Sequence, residues 1–233
     1  MDKRAKISVV VPTYEMRGLG CEYLSRNLDS LANQVFTDFE VVISDNSDND
    51  DIEKLCQDYK DLKITYFKNP LQGMAANTNE GMKAAKGEII KILYQDDFLA
   101  HDQALGDIAY SFKASDKWLV TGCGHSDEFG EWTRPHYPEY TKGIKLGINT
   151  IGSPSVLAIL NDEPLLFDES LTWVLDCDLY SRLYDTYGLP RVLNSINVII
   201  GTGTHQTTHI LTNEYKQSEQ DKIYKRYAQN TSL

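Results

Sequence analysis

Several features that would fix a function at sight are missing from this chain of 233 residues. Cysteine is scarce: Cys21, Cys56, Cys123 and Cys177 stand far apart, with no CxxC pair. That spacing excludes a disulfide framework or a zinc ribbon and reads as reduced, mostly buried thiols of a cytosolic protein. No apolar run approaches the roughly 20 residues that a bilayer-spanning helix needs. The run near the start, Ile7 to Pro12, is also too short for a signal-peptide core. A cytoplasmic chain without a transmembrane segment is expected, one that meets a membrane only peripherally, at its inner face. Positive charge is in short supply, with Lys+Arg 23 against Asp+Glu 34 and a formal charge of -11. Nucleic acid is therefore not an expected partner, because it demands a basic footprint. Gly201-Thr-Gly203 and Gly122-Cys-Gly124 lack the third glycine of a dinucleotide fingerprint, and no Walker A sequence occurs. His205 and His209 are four apart, but Gln206 stands where a zinc-protease helix needs Glu.

What is present is an ordinary globular composition, 41% hydrophobic and 24% charged, long enough for one large domain. Ile7–Pro12 is a continuous apolar run, the pattern of a strand buried on both faces of a parallel sheet. Phe39–Ser44, Ile64–Phe67, Glu88–Tyr94, Trp118–Thr121, Ser155–Leu160 and Val192–Ile200 are further strand candidates. Between the early ones, Tyr23, Leu24, Leu28 and Leu31, then Ile52, Leu55, Cys56 and Tyr59, recur at helical spacing. Met74–Ala85, the stretch around Leu105 to Phe112, and Trp173–Tyr187 complete the helix set, the last stopped by Gly188-Leu-Pro190. Strands alternating with helices imply right-handed βαβ units: an α/β class, a single Rossmann-like domain with a mostly parallel central sheet flanked by helices. Gly122–Gly147 shows no period and is expected to be loop; Glu214–Ala228 is polar and expected to be a surface helix or a mobile tail.

In an open parallel sheet, ligands bind beyond the carboxyl ends of the strands. The first strand runs into Thr13-Tyr14-Glu15, the second into Asp45-Asn46-Ser47-Asp48, and the fourth into Gln95-Asp96-Asp97. An Asp after a strand is often a turn residue that caps the next helix. Adjacent carboxylates such as Asp96 and Asp97 repel each other unless something offsets them. A divalent cation on a ligand's phosphates does so, since Mg²⁺ and Mn²⁺ sites use one or two carboxylates plus phosphate oxygens.

The ordered set VVVPTYE (Val9–Glu15), VVISDNSDND (Val41–Asp50), NPLQGMAANTNEGMKAAKGEII (Asn69–Ile90) and LYQDDF (Leu93–Phe98) resembles family 2 glycosyltransferases of the GT-A fold. The resemblance continues through NTIGSPSVL (Asn149–Leu157), LDCDLYSRL (Leu175–Leu183) and GTHQTTH (Gly203–His209), about residues 6–210 in all. It implies a GT-A domain over 1–210 and a C-terminal helical extension or tail over 211–233. It also implies an inverting transfer of sugar from a nucleotide-diphosphate sugar donor to the hydroxyl of a saccharide or lipid-linked acceptor, as in surface polysaccharide or lipopolysaccharide assembly. By position, Pro12, Thr13, Tyr14, Glu15 and Asp45 would hold base and ribose, and Gly73 and Asn77 would lie near the donor. Asp96 would contact the ribose, Asp97 and His205 a Mn²⁺ or Mg²⁺ ion, and Asp176 would be the catalytic base, with Asp178 the fallback. The alternative for Asp176 and Asp178 is an N-cap and a first-turn acid on the helix that follows. The chain departs from the family pattern at Tyr94, where an acid is usual, at Ala76 in place of Arg, and at Leu175 in place of Glu. Those departures motivate a rival reading, a non-catalytic nucleotide-sugar or glycan-binding module on the same fold. A nucleotidyltransferase would need a Gly-rich basic loop after the first strand, and Pro12-Thr13-Tyr14-Glu15 is not one.

Overall fold

The computed structural model describes residues 4–127, 132–203 and 206–228. The first half is β1 (Ile7–Thr13), α1 (Gly20–Ala32), β2 (Phe39–Asp45), α2 (Asp51–Asp58), β3 (Ile64–Lys68), α3 (Met74–Ala84) and β4 (Ile89–Ile92). There follow β5 (Phe98–Leu99), α4 (Ala104–Ser111), β6 (Trp118–Asp127), β7 (Thr133–His136) and β8 (Leu157–Leu160). The chain then forms α5 (Leu175–Tyr187), β9 (Arg191–Thr202), α6 (Thr207–Ile210) and α7 (Asn213–Ala228).

Among the described residues the strands form one sheet of order β3-β2-β1-β4-β8-β6-β9-β5, with β7 paired to β6. β1 lies parallel between β2 and β4, and β3 continues the parallel set. Every residue of β1 is buried, as a β-branched run covered on both faces requires. α1 turns Tyr23, Leu24, Leu28 and Leu31 into the core, and α2 turns Ile52 and Cys56. β8 runs antiparallel between β4 and β6, and so brings the segment before it against the end of β4.

One sequence expectation needs correction. Gly122–Gly147 is not simply loop: β6 continues to Asp127, β7 pairs with it, and a 3-10 turn covers Lys142–Leu146. Glycine hides the strand period there. A Cβ on Gly124 would sit 2.4 Å from the Trp132 ring, so only glycine lets that ring lie against the strand. Of the two readings of residues 214–228, the tail gives way and the helix stands: α7 covers Asn213–Ala228 and buries Ile223 and Tyr227 against the 3-10 turn and α5. No described helix is long and apolar enough to cross a membrane.

Candidate active site

The parallel strands end level with one another, since Thr13 pairs with Asp45 and Asp45 with Lys68. The loops beyond them enclose a cavity of about 830 Å³. Its walls include Pro12, Tyr14 and Glu15 after β1, Asn46 and Asp48 after β2, Gly73 and Asn77 at α3, and Gln95 and Asp96 after β4. Gln95 fixes the Tyr14 backbone: its amide oxygen accepts from Tyr14 N at 3.0 Å, and its Nε2 donates to the carbonyls of Tyr14 (3.0 Å) and Gly20 (2.8 Å). Asn77 donates to the Thr13 carbonyl at 3.0 Å and accepts from Ser44 Oγ at 2.7 Å, so it ties α3 to both β1 and β2.

Thr13 and Asp45 reach the same edge but do not line the cavity. Both are fully buried. Asp45 accepts hydrogen bonds from Thr13 Oγ1 (3.2 Å), Ser47 N (2.9 Å), Ser47 Oγ (2.6 Å) and Tyr66 OH (2.8 Å), and pairs with Lys68 at 3.2 Å. A nucleobase could bond Asp45 only by displacing one of these donors. In this arrangement Asp45 braces the turn, while Asn46 and Asp48 face the cavity.

A second cavity of about 170 Å³ adjoins the first; Met74, Tyr94, Asp96, Thr172 and Gln206 line both. Asp97 and Asp176 lie on its walls, with Ser153, Trp173 and Gly201. Asp97, nearly fully buried, accepts from the Gly201 amide at 2.9 Å and faces Ser153 Oγ at 3.5 Å. Burial, and then the neighbouring Asp96 charge, hold its carboxyl well above the usual range. Beneath it, the fully buried Lys91 of β4 donates to the Ser155 carbonyl, and burial pushes this amine down to about 7. Ser155 Oγ in turn accepts from Tyr94 N at 2.8 Å.

Asp176 borders the same cavity from the first turn of α5. The helix begins at Leu175 with Val174 as N-cap, not at Trp173, so neither Asp176 nor Asp178 is the cap. Asn149 Nδ2 donates to Asp176 Oδ2 at 2.6 Å, and the Cys177 amide donates to Oδ1 at 2.7 Å. Burial raises the carboxyl to about 6, against the lowering effect of those donors. Asp178 faces the other way. It is fully buried, pairs with Arg182 (2.7 Å) and Arg226 (2.6 Å), and accepts from Tyr227 OH at 2.7 Å. Its oxygens serve the α5–α7 contact, and it lines neither cavity.

His205 lies outside the described residues. Among the described residues no group of three or more His, Cys, Asp or Glu converges on a metal position. Asp96 and Asp97 do fit the kind of site in which the protein gives one or two carboxylates and a bound phosphate gives the rest, since both border the smaller cavity. Pattern reading missed Gln95, Lys91 and Asn149 as supports, and missed Thr172 and Gly201 as wall residues; each owes its place to contacts far along the chain.

The chain is 37% identical over 98 residues to the GalNAc(5)-diNAcBac-PP-undecaprenol beta-1,3-glucosyltransferase of Campylobacter jejuni, covering 40% of this chain and 30% of that one. It is 26% identical over 204 residues to WcaA of Escherichia coli (strain K12), named for colanic acid biosynthesis, covering 82% of this chain and 70% of that one. The chain thus spans about a third of the length of several curated relatives it matches. S. aureus TarS 1-349 in complex with UDP-GlcNAc superposes with TM-score 0.71 at 18% identity, over 94% of this chain and 70% of that one. Mannosyltransferase PcManGT from Pyrobaculum calidifontis, in complex with GDP-Man and Mn²⁺, gives TM-score 0.63 at 15% identity, over 100% of this chain and 66% of that one. These likenesses establish the GT-A fold. Since the model of Glycosyl transferase family 2 matches residues 8–165, well over half of its length, the chain belongs to that family.

Proposed function

We propose that this chain moves a sugar from a nucleotide-diphosphate donor to an acceptor hydroxyl by direct displacement, with inversion at the anomeric carbon. The observation that carries the proposal is that Asp96, Asp97 and Asp176 all border the smaller cavity, which adjoins the larger one. The larger cavity has room for a nucleoside between Tyr14, Asn46 and Asp48, with the diphosphate directed toward Asp96. Asp96 and Asp97 would hold a Mn²⁺ or Mg²⁺ ion, which when bound supplies Lewis-acid stabilisation of the departing diphosphate. Asp176 takes the proton of the attacking hydroxyl. Asn149 and the Cys177 amide aim its carboxylate, and a value of about 6 leaves it ionised yet basic enough to act at neutral pH. Trp173 and Ser153, which border the same cavity, belong to the acceptor side.

The relatives favour an acceptor from surface polysaccharide assembly, either a saccharide or a lipid-linked one that would bring the protein to the inner face of a membrane. Donor hydrolysis separates this from a binding-only module: metal-dependent release of nucleoside diphosphate belongs to the enzyme alone. The decisive variant is Asp176→Asn. Transfer should fall by roughly 1,000-fold, with nucleotide affinity changed by less than about twofold, as expected for a group that acts in the transition state. Lost nucleotide affinity with normal turnover would refute the assignment.

A further inference from the structure

We infer that α7 is a working part of the acceptor side, and that Glu219 is the positioning residue through which it acts. What is positioned rests on the transferase reading above; how it is positioned rests on geometry alone. Helix α5 has no side-chain cap, because its N-cap is Val174. The amides that lead into it therefore need acceptors from elsewhere. Glu219 of α7, fully buried, provides them. One carboxylate oxygen accepts from Thr172 N at 2.8 Å; the other accepts from Trp173 N at 2.7 Å and Val174 N at 3.2 Å. A carboxylate at the amino end of a helix also gains from the helix dipole.

The same face of α7 adds further holds. Tyr215 OH donates to Thr172 Oγ1 at 3.2 Å, and the Lys216 amine lies 5.9 Å from the centre of the Trp173 ring. Farther along, Arg226 pairs with Asp168 at 2.7 Å and Asp178 at 2.6 Å. α7 therefore grips residues 168–178 at both ends. That segment carries Thr172, which borders both cavities, and Trp173 and Asp176, which border the smaller one. A displacement of about 1 Å at such groups costs on the order of 100-fold in rate. The holds from α7 fall on the wall that carries Asp176, and the described nucleotide wall of Tyr14, Asn46 and Asp48 lies on other loops. Turnover and nucleotide binding should accordingly respond differently when the clamp is weakened.

The test uses the full chain carrying Glu219→Gln, which keeps the side-chain volume but removes the charge and one acceptor oxygen. Three quantities are read: amide hydrogen exchange at residues 172–174, affinity for UDP with Mn²⁺, and hydrolysis of UDP-GlcNAc. Exchange at the three amides should rise about tenfold. Hydrolysis should slow by roughly 10- to 100-fold, while UDP affinity stays within about twofold. Tyr215→Phe, which removes only the hydroxyl on Thr172, should move the first and third readings the same way by a smaller factor, and serves if Glu219→Gln does not fold. Unchanged exchange overturns the clamp; raised exchange with unchanged hydrolysis overturns its role in turnover; a matching loss of UDP affinity overturns its confinement to the acceptor wall. If the unaltered chain neither binds UDP nor hydrolyses UDP-GlcNAc, it is the transferase reading for this donor that fails, and exchange at residues 172–174 still decides the clamp.

Discussion

On the first turn of α5, Asp176 borders the smaller cavity and is aimed by Asn149, whereas Asp178 is sunk between α5 and α7 against Arg182 and Arg226. The same residue type, two positions apart, thus borders a cavity in one place and, in the other, holds two helices together. Replacing Asp178 with Asn would leave partly buried guanidinium groups without their shared carboxylate, which costs roughly 3 kcal/mol. Denaturant unfolding of Asp178→Asn should show that loss, and turnover of the folded fraction should fall by no more than the roughly 10- to 100-fold expected of a weakened α7 clamp. Intact stability with lost turnover would return Asp178 to the catalytic list. The acids themselves were legible in the sequence, because carboxylates at strand ends and in a helix's first turn stand out. Their division of labour was not, since it depends on Arg226 lying 48 residues away from Asp178 along the chain. The partners of Asp45 were hidden for a similar reason: Tyr66 and Lys68 come from the next strand.

At the scale of elements, β9 does more than extend the sheet. Its end runs against the acidic turn so closely that a Cβ on Gly201 would stand 2.3 Å from the Asp96 carbonyl oxygen, a distance no side chain tolerates. The Gly201 amide meanwhile donates to Asp97. Gly201→Ala should therefore push the turn after β4 out of place and cut turnover by on the order of 100-fold, a change to be read by steady-state kinetics beside a circular dichroism check of folding. Normal kinetics would show that the turn is not held from β9. The parallel strands β1, β2 and β4 were legible from their unbroken apolar runs, and α1 to α3 from their periods. The continuation of β6 through Gly122 and Gly124 was not, because glycine removes the alternation by which a strand is read. The docking of α7 was equally hidden, resting on Ile223, Tyr227 and Glu219 in an otherwise polar helix.

Over the whole molecule, the loops at one edge of the sheet line the larger cavity, and the start of α5, held by α7, borders the smaller one. On the proposed reading, an acidic chain with a formal charge of -11 would gain from a cation where the carboxylate pair after β4 meets a diphosphate. That the described chain spans about a third of several relatives places acceptor choice and membrane contact in the realm of experiment. The most direct measurement of the central claim is nucleoside diphosphate release from a panel of nucleotide sugars with Mn²⁺, followed against pH. Because burial holds the Asp176 carboxyl up to about 6, it is protonated and idle below that value and competent above it. Release should rise about tenfold per pH unit toward pH 6 and level off beyond it, and should require the metal. Indifference to every donor, or release that is flat across pH 6 and independent of Mn²⁺, would contradict the account.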